Sequence, residues 1–431
     1  MTTNQYESEF IGDIPPESTI PNLAQILVIS KDQSYLTHGI HKFPAKFFPE
    51  LPRYLIRRYS RKGEVVLDPM CGSGTVVLES QLAERIAIGV DIDPIAQLIT
   101  RVKTSPLENE ELQMYSKMLM DWIEGTMSDS TYSPRIPEFH YRDNWFRHFV
   151  LKELGLIKDG IDEFVARGLK SEIRDFFHVV LSSIIRDVSN ADPHCTRTVI
   201  RKKSIRNIAP QDTIIKFRNT LFKQVESMME LSSFIYMINP KEVILKQESA
   251  NAMSIADNSV NLAVTSPPYI NAVDYPRTHQ LEMYWLGMIG DGPLSRMKRN
   301  YIGTETVYKH EYENLQHTGF TSLDPLLKKI FESDPRRSFI VYKFFQDMKD
   351  QLRETLRVLR PGGRYCLAIG SNQIRGIAIH SHEILSEIAT SQIGFELERS
   401  FFSGLIRHFI KIPRKERMHG EWVLILRKPA E

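Results

Sequence analysis

The chain has 431 residues, 42% hydrophobic and 25% charged, which is enough apolar side chain for a sizeable core and excludes compositional disorder. Lys and Arg total 55 against 53 Asp and Glu, a net charge of +2, so any nucleic-acid surface must be a local patch and not a global field. Three cysteines exclude a disulfide framework, and no apolar run reaches the roughly 18 residues of a membrane helix.

The N-terminus, MTTNQYESEFIGDIPPESTIPN, is polar and acidic with no signal-peptide core, so a soluble, intracellular protein with no membrane partner is expected. Residues 1–37 read as a lead-in, poorly ordered to about residue 35 because Pro15, Pro16 and Pro21 oppose a long helix. Within the next part, 38–104, Glu64-Val-Val-Leu-Asp68 is a β-branched strand ending in Pro69-Met-Cys-Gly72-Ser-Gly74-Thr75. A helix from Val76 to Glu84 and a second strand, Ile86 to Val90, closed by Asp91, complete a βαβ unit of a parallel, doubly wound sheet. From 105 to 240 the texture turns helical. Ile173, Phe176, Val180, Ile184 and Val188 recur at helical steps, Thr220 to Leu231 reads similarly, and the whole is expected to be a helical insertion.

Sheet patterns return in 241–290 with Val243 to Leu245 and Val260 to Val264. A second insertion, 291–345, has weak periodicity. In 346–431, together with Phe345, a helix carrying Met348, Leu352 and Leu356 stops at Arg360-Pro-Gly-Gly363. The strands Tyr365 to Ile369 and Trp422 to Leu426 follow. The expected architecture is a parallel α/β core interrupted twice.

Asp68 to Thr75 sits where a doubly wound fold binds a nucleotide-like ligand. A phosphate-cradling loop needs Lys-Ser/Thr after its last glycine, and a dinucleotide fingerprint needs Gly or Ala where Val77 stands; this turn has neither. The acid that opens it would repel pyrophosphate and suits a ligand with an ammonium group. Asp91, about twenty residues on, is placed to accept hydrogen bonds from ribose hydroxyls. Ribose plus an amino acid without phosphate describes S-adenosylmethionine. An ordinary tight turn is the plainer alternative.

Thr265-Ser266-Pro267-Pro268-Tyr269 directly follows the strand Val260 to Val264. Two prolines make a rigid loop and remove two donors, leaving carbonyls free to accept. An exocyclic base amine is a poor nucleophile because its lone pair is delocalised. Ser266 Oγ and the Pro267 carbonyl could take its two N–H protons and stabilise the charge that develops on nitrogen. Tyr269 would offer a flipped base a stacking face worth about 1–3 kcal/mol.

With both motifs in one chain, the sequence resembles the amino-methylating DNA methyltransferases, and the Ser form of the tetrapeptide resembles their N4-cytosine group. The resemblance implies an α/β Rossmann-like S-adenosylmethionine-dependent methyltransferase sheet with a helical insertion. It implies direct methyl transfer to a flipped base in double-stranded DNA, in a bacterial or archaeal cytoplasm, often beside a cognate restriction endonuclease. His38 to Pro49 resembles the segment that packs against the methionine end of the cofactor, which adds Phe43 and Lys46 to a cofactor set of Asp68, Pro69, Cys71, Gly72, Gly74, Thr75, Asp91 and Ile92. The family's acid near adenine falls at Glu248 or Ser249, and the sequence leaves the choice open. Ala272 to Trp285 resembles the extension of the catalytic loop, and Arg357 to Gly363 the late helix-to-strand turn. N6-adenine methylation is the nearest alternative; an RNA or small-molecule methyltransferase and a DNA-reading regulator without activity are further ones.

No cysteine stands in the Pro-Cys pair of a C5-cytosine mechanism, and His38, His41 and Cys195 lack metal-ligand spacing, so no metal is expected. His38 and His41 fit packing or phosphate contacts. Basic clusters at Arg197, Arg201, Lys202, Lys203, Arg206, Lys216 and Arg218, at Arg296, Lys298 and Arg299, and at Arg407 to Arg417 suggest a DNA-facing groove. Arg277 and His279 join Arg201, Lys202, Lys203 and Arg299 as candidate DNA contacts, and the two insertions are the candidates for target recognition.

Overall fold

A computed structural model describes residues 6–200, 206–270, 273–289, 294–404 and 419–430. Its strands are β1 (Ser8–Ile11), β2 (Gln25–Ile29), β3 (Val65–Asp68), β4 (Ile86–Val90), β5 (Val243–Lys246), β6 (Val260–Thr265), β7 (Leu359–Ile369), β8 (Asn372–Ile374), β9 (Ile377–Ile379), β10 (Glu396–Gly404) and β11 (Gly420–Arg427). β8 and β9 pair as a hairpin; the rest form one sheet in the order β1-β2-β10-β11-β7-β6-β3-β4-β5. Its pairs are parallel except the two that β11 makes, with β10 and β7. β3, β4 and β6 are buried on both faces, which is why they read as nearly unbroken apolar runs.

Between β3 and β6 the strand order reverses. The chain moves outward from β3 through β4 to β5, then returns to the other side of β3 as β6. Such a switch point opens a crevice beyond the C-terminal ends of the strands. The glycine turn leaves β3 and the Ser-Pro-Pro-Tyr loop leaves β6 at that point, so the α/β fold expected from the sequence puts the two motifs together.

The helices are α1 (Glu50–Tyr59), α2 (Thr75–Leu82), α3 (Pro94–Thr104), α4 (Asn109–Met127), α5 (Arg142–Trp145), α6 (His148–Ala166), α7 (Ser171–Ile185), α8 (Asp212–Met237), α9 (Tyr275–Thr278), α10 (Gln280–Trp285), α11 (Leu294–Lys298), α12 (Asp324–Ser333), α13 (Pro335–Val358) and α14 (Ser381–Ile388). α4 to α8 form the expected helical insertion. α7 holds Ile173, Phe176, Val180 and Ile184, but Phe177, Val179, Leu181 and Ile185 are buried too, so it is an enclosed helix and not an amphipathic one. Val188 lies past its end and is still buried. The insertion shares its core with Leu78 of α2, with Ile95, Ile99 and Val102 of α3, and with Leu281 and Trp285 of α10.

Two expectations are corrected. The lead-in is built into the fold: β2 pairs with β10, β1 pairs with β2, and Ile14, Ile20, Ala24, Ile26 and Val28 are buried. The prolines fall between these strands, where they interrupt nothing. The second insertion does not end at 345 as drawn, because α13 begins at Pro335 and runs 24 residues through that boundary. Asp334 accepts from Arg337 N at 3.0 Å and Pro335 takes the first turn, a helix start hidden in a polar stretch.

Candidate active site

The glycine turn is fastened to β4. Cys71 N donates to Val90 O at 2.9 Å and Gly74 N to Cys71 O at 2.7 Å. Gly74, at φ +75° and ψ 32°, forms the left-handed step into α2. Gly72 N donates to Asp91 Oδ2 at 2.8 Å, and Asp93 N to Asp91 Oδ1 at 2.9 Å. Each Asp91 oxygen keeps capacity to accept more.

The other loop meets this turn through one buried bond. Thr265 Oγ1 donates to Asp68 Oδ1 at 2.6 Å, joining positions 197 residues apart. A third element closes over them: the Phe43 ring stacks on Tyr275 with centroids 5.7 Å apart and on His279 at 5.0 Å. Lys46 Nζ donates to Gln33 O and His38 O, both at 2.8 Å.

The cleft between them measures about 870 Å³ with the open solvent at its mouth included. Phe43, Lys46, Asp68, Pro69, Cys71, Gly72, Thr75, Asp91, Ile92, Ser249, Ser266 and Pro268 line it. Of the predicted site residues, Gly74, Glu248, Pro267 and Tyr269 are not in that wall. Gly74 faces Thr100 of α3. Glu248 is turned away, accepting from Ser254 N at 2.6 Å, so of the two residues left open for the adenine contact Ser249 is the one at the cavity. The Tyr269 hydroxyl donates to Glu421. Reasoning from sequence missed Asp93, Tyr275, Asn300, Tyr301 and Ile302, which also line the space. Tyr275 lay inside the stretch matched to the family; the 300–302 segment carried no signal.

Burial pushes the Asp68 carboxyl up to about 7. Asp91 is likewise pushed up to about 7, by burial and then by the neighbouring Asp93. Burial lowers the Lys46 ammonium to about 8. It also raises the Cys71 thiol, the opposite of what a nucleophile needs. His38 and His41 are packing residues: both are buried, burial holds both below the usual histidine range, and His38 shares a 2.8 Å contact with Glu79. Among the described residues no group of His, Cys, Asp or Glu could hold a metal ion.

The DNA candidates fare unevenly. Arg201, Lys202, Lys203 and the cluster Arg407 to Arg417 lie outside the described residues. Arg277 is exposed on α9. His279 is corrected: at 2% exposed it is an interior ring stacked on Phe43, out of reach of a phosphate. Arg299 is corrected too, since both Glu311 oxygens hold its guanidinium at 3.0 Å. The basic run from 197 to 218 meets acids from elsewhere in the fold: Arg197 pairs with Glu305, Arg206 and Lys216 with Asp187, and Arg218 with Glu124.

A family profile described as DNA methylase matches residues 16–101. The Type II methyltransferase M.MvaI of Kocuria varians is 28% identical over 382 residues, 82% of this chain and 81% of that one. These matches support the amino-methylating DNA methyltransferase family. The Type II methyltransferase M.BsoBI of Geobacillus stearothermophilus is 26% identical over 307 residues, 65% of this chain and 58% of that one. Among solved structures, an S-adenosylmethionine-dependent methyltransferase from Methanosarcina mazei is 13% identical and covers 88% of this chain and 98% of its own. Its TM-score is 0.31, a likeness too low to add to the argument. The lining itself suits the family's cofactor, S-adenosylmethionine. Asp68, Asp91 and Asp93 face a common space that would repel phosphate, Lys46 offers a partner to a carboxylate, and Phe43, Ile92, Tyr275 and Ile302 give apolar surface.

Proposed function

We propose that this DNA amino-methyltransferase transfers a methyl group from S-adenosylmethionine to the N4 amine of cytosine in duplex DNA, as the modifying half of a restriction-modification system. The observation that carries the reading is the single cavity shared by Ser266 and Pro268 with Gly72, Asp68 and Asp91. The Thr265–Asp68 bond ties the amine-binding loop to the cofactor turn, so neither can shift without the other. Serine at the head of the tetrapeptide favours the N4-cytosine group over N6-adenine.

Bound beside the glycine turn, the cofactor supplies an already activated methyl, so the protein need provide no nucleophile of its own. Its work is to hold and polarise. Asp91 accepts from the ribose hydroxyls and Lys46 pairs with the carboxylate end of the amino acid; both line the cavity. Ser266 Oγ and the Pro267 carbonyl accept the two N–H protons of the flipped base, pull its nitrogen toward tetrahedral geometry and stabilise the charge that grows there. The Tyr269 ring supplies the stacking face. Arg277, exposed on α9, contacts the backbone of the duplex.

The test is Ser266→Ala, followed by transfer of labelled methyl to duplex DNA. Turnover should fall by roughly 10²–10³, as for loss of one charge-stabilising group, with cofactor affinity nearly unchanged. Undiminished turnover would remove the serine from the chemistry. Equal activity on RNA and duplex DNA would point to an RNA methyltransferase instead.

A further inference from the structure

The phenol of Tyr269 donates to Oε1 of Glu421, 152 residues further along the chain. β11 runs antiparallel to β7, so its first residues return to the edge of the sheet from which the glycine turn and the Ser-Pro-Pro-Tyr loop emerge. Trp422 pairs with Ile369, the last residue of β7, and Glu421 stands one residue beyond. Glu421 is 9% exposed, and its Oε2 is buried with no hydrogen-bond partner among the described residues. Ser266 is the phenol's second side-chain hydrogen-bond partner, and it favours the ionised form of Tyr269 against the opposing pull of Glu421. The three groups thus have a direction: serine toward tyrosine, tyrosine toward carboxylate. Anchoring a phenol needs only a neutral acceptor, and a carboxyl group is costly to bury, so its presence calls for a further role.

We propose that Glu421 is the final acceptor of the proton that the target amine must lose, reached through Ser266 and Tyr269. The proposal rests on the methyl-transfer reading above. As the N–CH₃ bond forms and the S–CH₃ bond breaks, nitrogen carries one proton too many. It gives that N–H proton to Ser266 Oγ and takes the bonding pair back. Ser266 passes its own proton to Tyr269 Oη, and Tyr269 passes its own to the Glu421 carboxylate. The base, Ser266 and Tyr269 end neutral; Glu421 ends protonated and returns the proton to water as product leaves. Burial raises the Glu421 pKa, which makes its carboxylate a stronger base than an exposed one.

Glu421→Gln separates this role from anchoring, because the amide oxygen still accepts from the phenol but cannot take a proton. Single-turnover methyl transfer to duplex DNA is measured for wild type, Glu421→Gln, Tyr269→Phe and the double variant, with the affinities for cofactor and duplex alongside. The relay predicts a loss of roughly 10²-fold in each single variant, a typical general-base contribution, with both affinities unchanged. The double variant should be no slower than the slower single one. Wild type should slow in D₂O, and Glu421→Gln should lose that effect. Transfer by Glu421→Gln at the wild-type rate, or losses that multiply in the double variant, would overturn the relay alone. A wild-type protein that methylates no base in duplex DNA would overturn the reading of the site and the relay with it.

Discussion

Replacing Gly74 by alanine should be among the most damaging single-methyl changes in the protein, and the cost can be built up from its parts. The left-handed φ of +75° costs an L residue about 1–2 kcal/mol. The new Cβ would lie 2.5 Å from Thr100 Cγ2 and 2.7 Å from its Oγ1. Thr100 is wholly buried on α3 and donates to Gly72 O at 2.9 Å, so it cannot swing away without breaking the turn it supports. Overpacking of that kind costs about 1–3 kcal/mol, and the lost hydrogen bond about 1 more. The total is about 3–6 kcal/mol. Gly63→Ala is the control, since its φ of +80° carries the same backbone strain with nothing within 4 Å of the added methyl. Urea unfolding of both variants, with cofactor titration of each, separates strain from collision. Gly74→Ala should lose several times more stability than Gly63→Ala and bind cofactor more weakly; equal losses would refute the packing argument.

The acids of the cleft give a pH prediction. Asp68 and Asp91, raised from 3.8 to about 7, hold protons in the folded protein that the unfolded chain has lost between about pH 4 and 7. Stability without ligand should therefore fall as pH rises through that window. A cofactor that prefers the ionised carboxylates should bind more tightly from pH 6 to 8 and release protons on binding. Calorimetric titration at pH 7 in two buffers of different ionisation enthalpy checks this, and affinity that weakens with rising pH contradicts it. Asp91→Ala should cost cofactor binding roughly 10–100-fold, because it removes both the ribose acceptor and the carboxylate that holds Gly72. Arg277→Ala should lower the salt dependence of duplex binding by about one counterion, whereas Arg299→Ala, already paired with Glu311, should leave it unchanged; fluorescence anisotropy at several salt concentrations measures both.

The centre of the fold was legible from sequence because its strands are buried on both faces and its loops carry glycines and prolines where ordinary loops do not. Val65 to Asp68, Ile86 to Val90 and Val260 to Thr265 announce themselves by nearly unbroken apolar runs, and the two motifs directly follow the first and the third. The edge was not legible. β1 and β2 are only four and five residues long, and their short spans between prolines resemble a disordered lead-in until β10 supplies a partner. Charge was misread for a related reason. Asp187, Glu305 and Glu311 neutralise basic side chains that look unopposed along the chain, and His279 looks like a surface cation until Phe43 covers it. Glu421 could not have been found at all, since nothing local links it to Tyr269.

Nucleoside mass spectrometry on duplex DNA exposed to the purified protein and S-adenosylmethionine reads out the chemistry assigned to Ser266 and the Pro267 carbonyl. N4-methylcytosine should accumulate, and it should form roughly 10²–10³-fold more slowly with Ser266→Ala. N6-methyladenine in its place, or no methylated base at all, would contradict the account.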